Sequence, residues 1–186
     1  MKFSIQPVLE NEQYQLIPLQ QGDFESLYQV ASDPEVWRQH PNKDRYRKEV
    51  FSTFFEGAMK SGGAFKTTEK YSGEILGSTR FYDYDEENNS IFIGYTFYGT
   101  KSWGKGINPQ VKKIMLQYIF QFVDTVYFHV GKDNMRSRTA MERLGAENGG
   151  EQEVAYFGEP TRINILYQIK KENYKGIAIK VYYHLG

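Results

Sequence analysis

Cysteine is absent from the 186 residues. Its absence excludes disulfides, a thiol nucleophile, and zinc or iron–sulfur sites built on thiolates, so any acyl transfer proceeds without a cysteinyl intermediate. An excess of one charge is also missing: 23 Lys and Arg stand against 23 Asp and Glu. No global field is available to hold nucleic acid or anionic lipid, and neither is expected as a partner. No apolar run approaches the roughly 18 residues of a membrane span. Residues 1–9 lack a basic stretch followed by an apolar one, so a cytoplasmic protein is expected. The three histidines, His40, His129 and His184, show no ligand spacing, and no metal is expected. There is no repeat, low-complexity tract or linker, and the length suits one domain over residues 1–186.

What the chain does have is aromatic bulk (thirteen Phe, fifteen Tyr, two Trp) and clear punctuation. Residues 14–19 read as an opening strand. Asp23 can cap a helix over 24–31, where Phe24, Leu27, Tyr28 and Ala31 share a face, and Asp33-Pro34 ends it. A second helix is predicted over 44–60, with Gly62-Gly63 past its end. Strands follow at 64–69 and 76–84, then a polar loop over 85–89. The next strand, 91–98, is apolar or aromatic on both faces and should be central. A largely buried helix is predicted over 109–123, with Asn108 as its cap and Pro109 in its first position. A strand at 125–130, a helix at 134–144 stopped by Gly145, and a hairpin of 153–157 with 162–171 complete the series. Alternation in the middle and strands at the end imply an α/β (α+β) fold: a mixed sheet with helices on both faces. In the tail from Gly176, alternating Ile177, Ile179, Val181 and Tyr183 suggest an extra strand.

The richest stretch is Ser102-Trp103-Gly104-Lys105-Gly106-Ile107-Asn108-Pro109, which joins the central strand to the most apolar helix. The first backbone N–H groups of a helix have no internal partners, and glycines let a phosphate approach them without a Cβ in the way. A diphosphate-bearing ligand is the first expectation. The competing reading is an ordinary glycine turn that binds nothing.

Several separated segments resemble the GCN5-related N-acetyltransferases (GNAT), in the branch similar to ribosomal-protein N-terminal acetyltransferases. They are Ile17-Pro18-Leu19 with Asp23, then Ala31-Ser32-Asp33-Pro34-Glu35-Val36-Trp37, Ile93-Gly94-Tyr95, the loop from Trp103 to Ile107, Asn134-x-x-Ser137, and Leu144-Gly145. The resemblance covers residues 14–171. It implies a mostly antiparallel sheet splayed at its central parallel strands to admit coenzyme A, with acetyl-CoA as co-substrate. It further implies that the loop of Trp103, Gly104, Lys105, Gly106, Ile107 and Asn108 holds the pyrophosphate. Phe97 or Tyr98 would offer a main-chain N–H to the thioester oxygen, and Asn134 would contact pantetheine. Ser137 becomes the candidate acid for the leaving thiolate. Against the pattern, Asn108 stands where glycine or alanine is usual, Pro109 removes one amide, and Phe92 replaces a frequent glutamate.

The implied reaction is acetyl transfer to a primary amine by direct attack in a ternary complex. Neutralising a lysine-like amine at pH 7 costs about 4.6 kcal/mol, an α-amine only about 1. With no evident carboxylate base, the expected acceptor is therefore a protein or peptide N-terminal α-amine or a small-molecule amine. His129 is a weak candidate base. Phe24, Tyr28, Trp37 and Phe55 are candidates for an acceptor pocket, and Asn134 and Ser137 have the alternative of a plain helix cap. The rival function is a non-catalytic acyl-CoA binding or sensing module. A monomer or homodimer is expected.

Overall fold

The computed structural model describes residues 3–176 and the backbone of 182–184. Nine strands form one sheet in the order β7-β8-β6-β5-β4-β3-β2-β1-β9. They are β1 (Val8–Glu10), β2 (Tyr14–Pro18), β3 (Ala64–Glu69), β4 (Ile75–Asp85), β5 (Ser90–Tyr98), β6 (Thr125–Gly131), β7 (Glu147–Val154), β8 (Arg162–Lys170) and β9 (Tyr182–His184). Every neighbouring pair is antiparallel except β5 and β6. The helices are α1 (Phe24–Ala31), α2 (Pro34–Trp37), α3 (Lys48–Ser61), α4 (Ile107–Ile119) and α5 (Met135–Leu144).

The two faces of the sheet build separate cores. Val111, Ile114, Met115 and Tyr118 of α4 pack with Ile91, Ile93, Val126 and Phe128. Leu27, Val36, Trp37, Phe51, Phe54 and Phe55, from α1 to α3, pack with Phe97. Ile91, Ile93 and Phe97 are all odd-numbered, and a regular strand would send all three to one face. A bulge prevents it. Ser78 pairs with Phe97 and Arg80 with Gly94, which leaves Tyr95 and Thr96 together opposite Thr79. The extra residue turns Phe97 to the other face, and Tyr95 takes a left-handed φ of 52° to make the kink. The two-faced apolar pattern of this strand thus has a cause beyond a central position.

The same bulge bends β5 away from β6. The parallel pairing covers only Ser90–Thr125, Ile91–Val126 and Phe92–Tyr127. Beyond it, β6 stays paired with β8 as far as Gly131, while β5 continues to Tyr98 on the other side of an open wedge. This is the splay at the central parallel strands that the resemblance implies.

Four boundaries depart from the sequence reading. The predicted 44–60 helix is a 3₁₀ turn (Lys43–Tyr46) followed by α3, because Arg47 is extended (ψ 134°). The Tyr46 carbonyl there accepts from the Tyr28 hydroxyl at 3.0 Å. The apolar helix starts at Ile107, so Pro109 is its third residue and Asn108 its second, and Gly106 takes the cap position. The strand placed at 153–157 is β7, earlier by several residues. It absorbs Gly149 and Gly150 in a bulge, with Gly150 at φ 94°. In the tail, β9 pairs with β1, whereas Ile177, Ile179 and Val181 lie outside the described residues.

Candidate functional site

Gly104 and Gly106 adopt φ of 74° and 72°, the left-handed region that only glycine enters freely, and nothing lies within 4 Å of where a Cβ would stand at either. The path to the first turn of α4 is therefore open. No side chain caps that helix, so the N–H groups of Ile107 and Asn108 stay available to an anion. Pro109 is third in the helix, where an N–H would be unpaired anyway, and its ring removes nothing the helix uses. Trp103 fixes the loop from behind: its indole N–H donates to the Tyr98 carbonyl at 3.0 Å. The Arg136 guanidinium lies 3.9 Å above its ring.

From this cradle a cavity of about 500 Å³ runs into the wedge between β5 and β6. One wall carries Ile93 to Tyr98, the other Phe128 to Gly131, with Asn134, Ser137 and Met141 of α5 beyond and His40, Arg45 and Tyr156 at the far end. Such a volume is that of a cofactor-sized cleft. The Asn108 Oδ1 near the cradle is buried with no hydrogen-bond partner among the described residues, while the Tyr98 hydroxyl lies beside Thr67 of β3, away from the wedge. The open cradle and the long wedge together fit an extended ligand with a diphosphate at one end, as coenzyme A has.

Lys112 puts a polar group on the cavity wall. It is only 3% exposed, and its Nζ donates to Thr96 Oγ1 at 2.6 Å and Thr79 Oγ1 at 3.1 Å. These contacts leave one ammonium N–H for another acceptor. Burial alone pushes its pKa down to about 7.

At the far end Arg45 forms a two-pronged pair with Glu159, at 2.8 and 2.9 Å, both side chains being almost fully buried. The ring of Tyr95 lies between Tyr82 and Tyr156, each at about 5 Å, and the Tyr156 hydroxyl donates to Asn164 Oδ1 at 2.9 Å. His129 stacks on Phe92 at 4.5 Å. Its Nε2 is 3.1 Å from Gln152 Oε1 and its Nδ1 is 3.3 Å from the Tyr82 hydroxyl. With Nε2 donating to the amide oxygen, Nδ1 accepts from Tyr82. Burial lowers the His129 pKa. His40 is driven down to about 3 by burial and by the fields of Arg45 and Arg136.

Residues 14–147 match the family described as "Acetyltransferase (GNAT) domain". The chain belongs to the GNAT acetyltransferase family. No curated protein matches the sequence. Among solved structures, a GCN5-related N-acetyltransferase from Brucella melitensis superposes with a TM-score of 0.75 at 20% identity, over 89% of this chain and 79% of that one. Spermidine N-acetyltransferase from Vibrio cholerae, in complex with CoA and spermine, gives 0.67 at 15% over 88% and 99%. Mycobacterium smegmatis RimJ in complex with CoA-disulfide gives 0.66 at 16% over 89% and 86%. At these identities the likeness is one of fold.

In this GNAT chain the cavity wall collects Phe97, Tyr98, Trp103, Gly104, Gly106, Ile107, Asn108, His129, Asn134 and Ser137. Lys105 is exposed beside the cradle. Asn134 caps α5 by accepting from the Ser137 N–H at 3.1 Å, so the capping role and a place on the cavity wall coexist. The proposed acceptor quartet is a correction: Phe24, Tyr28, Trp37 and Phe55 belong to the second core, with Trp37 and Phe55 completely covered. Their rings pack on one another and on Phe51 and Phe97; Phe24 and Tyr28 are half-buried under Lys48, and none of the four lines the cavity.

Sequence reading missed Lys112, Arg45, Tyr82 and Tyr156. Lys112 left a trace, since it lies at helical spacing with Asn108, Met115 and Leu116, inside an apolar stripe where a cation needs a reason. The others are brought together only by long-range packing. Among the described residues no cluster of three or more His, Asp or Glu could hold a metal, and no helix is long and apolar enough to cross a membrane.

Proposed function

We propose that the chain transfers acetyl from acetyl-CoA to a primary amine by direct attack within a ternary complex. The observation that carries the reading is the wedge between β5 and β6, floored by an uncapped helix start with two open left-handed glycines. When bound, acetyl-CoA supplies a thioester activated toward amines. Ile107 and Asn108 N–H, with the positive end of α4, hold the diphosphate, each such contact contributing about 0.3 to 2 kcal/mol. Arg136 is positioned beside the same loop to screen phosphate charge. The free N–H of Lys112 is matched to an amide carbonyl of the pantetheine arm, and main-chain N–H at Phe97 or Tyr98 is assigned to the carbonyl oxygen, where charge grows as the amine attacks.

In the transfer a C–N bond forms, the C–S bond breaks, the amine loses one proton and the thiolate gains one. Ser137, on the first turn of α5 and on the cavity wall, is the assigned donor to the thiolate. Among the described residues no carboxylate lines the cavity. His129 has its basic Nδ1 occupied by Tyr82, so any base role passes through that hydroxyl to an amine near Tyr95. An acceptor of low intrinsic pKa, an α-amine near 8, needs the least help and is favoured on that ground.

The test is coupled: calorimetry with CoA, then CoA release from acetyl-CoA in a panel of amines and N-terminal peptides. Micromolar binding with amine-dependent release supports an acetyltransferase. Binding without turnover across the panel supports the sensing module. No heat at millimolar CoA removes both.

A further inference from the structure

Among the described residues the cavity wall contains Arg45, Lys112, Arg136 and Arg143 and no Asp or Glu. Two of these, Arg136 and Arg143, project from α5 beside the cradle, where phosphates would compensate them. The acceptor end is different. Arg45 is neutralised by Glu159, and His40 is uncharged at neutral pH. Arg80 remains. It is 4% exposed, and its guanidinium lies 3.7 Å above the ring of Tyr95 and 5.4 Å from that of Phe54. Its one hydrogen bond is a long 3.5 Å contact to the Phe54 carbonyl. Among the described residues no carboxylate pairs with it. Its pKa falls only to about 10, so the charge persists at pH 7. Asp83, whose field reaches Tyr82, Tyr95 and His129, is exposed and lines a separate depression with Asp85 and Glu86.

A buried, unpaired guanidinium is costly to maintain. Arg80 does not itself line the cavity; stacked on the ring of Tyr95, the residue at the kink, it sets a buried positive charge one ring away from the end of the cavity assigned to the acceptor. A polyamine would bring further positive charge into that field, with no unpaired buried acid among the described residues to compensate it. An acceptor with its own anion would be drawn by that charge across the Tyr95 ring, without touching Arg80. The cavity, about 500 Å³, must also house the acyl arm, which leaves room for a small molecule.

Building on the acetyltransferase reading, we infer that the acceptor is a small monoamine carrying a carboxylate, selected by the field of Arg80 across Tyr95, and not a polyamine.

The experiment compares size-matched pairs, amino acids against their carboxamides, together with spermidine and agmatine, by CoA release and by thermal shift in saturating CoA. The acid-bearing member of a pair should have at least tenfold higher kcat/KM, mostly through KM, with polyamines inert. Arg80→Met should abolish the preference while leaving CoA affinity unchanged, and Arg80→Lys should keep it. If Arg80→Met does not fold, the Arg80→Lys variant and the wild-type preference still decide. Equal or better use of spermidine, or no use of any acid-bearing amine, overturns the inference; retained CoA binding in that case leaves the CoA reading standing. Loss of CoA binding in the wild type would instead bring down the underlying reading.

Discussion

The ammonium of Lys112 opposes folding at neutral pH. In the unfolded chain this amine holds its proton to about pH 10.5, whereas in the fold it does so only to about 7. Between those values the unfolded state binds more protons, so stability rises with pH across that window. Below pH 7 the full penalty applies, on the order of 5 kcal/mol. Lys112→Met should therefore be more stable than the wild type. Thr79 and Thr96 are not orphaned by the change, since their hydroxyls also bond each other at 2.8 Å. Urea denaturation should show the gain at pH 6.5 exceeding that at pH 9 by about 2 kcal/mol; a gain independent of pH would mean the amine is not desolvated. The same variant should bind CoA more weakly, the ordinary sign of a group kept for function against stability. Gly106→Val makes a second test at this scale. A left-handed β-branched residue costs about 1 to 2 kcal/mol, and its Cβ enters the open space over the cradle. Calorimetry should show CoA affinity down at least tenfold in a folded protein, and unchanged affinity would remove the cradle. Ser137→Ala should slow single-turnover transfer without changing CoA affinity. Equal rates would leave Ser137 only its place in the cap.

Between elements, the Arg45–Glu159 pair ties the β7–β8 connection to the turn before α3. Both groups are buried and doubly bonded, and removing one partner leaves the other charge uncompensated. Glu159→Gln should destabilise by about 3 kcal/mol, measured by denaturation, with faster proteolysis in residues 155–161. A change under 0.5 kcal/mol would mean that the connection does not depend on the pair. This contact spans 114 residues of sequence, and nothing local announces it. What was legible was whatever rests on period and punctuation: the helix 24–31, the strand 64–69, the Gly145 stop, and the strand–loop–helix cradle. Three errors have a physical cause each. Asn108 looked like a cap because capping residues precede helices, but the left-handed Gly106 already turns the chain there. The 44–60 helix looked continuous because its side chains suit a helix throughout, while Arg45 is drawn inward by Glu159. The acceptor aromatics looked exposed to a pocket because a ring in a core and a ring in a site have the same spacing.

At the scale of the molecule, the sheet is joined across its centre by only three residue pairs between β5 and β6, with α4 and its core beneath. A ligand that enters the wedge bridges the β1 to β5 side and the β6 to β8 side along the length where backbone pairing has stopped. Such a ligand binds the folded state alone, so its effect follows mass action: about 2.7 kcal/mol at a hundredfold excess over Kd, or roughly 5 to 10 °C in Tm for a chain of this size. CoA should produce that shift, and hydrogen exchange should slow at residues 93–98 and 128–131, on both walls, more than in β2 and β3. Gly106→Val should lose the shift and the protection together, because both depend on the diphosphate being held at α4. Protection confined to the α4 start would show that the pantetheine arm lies outside the wedge, and the bulge at Tyr95 would then serve only to place Phe97 in the second core.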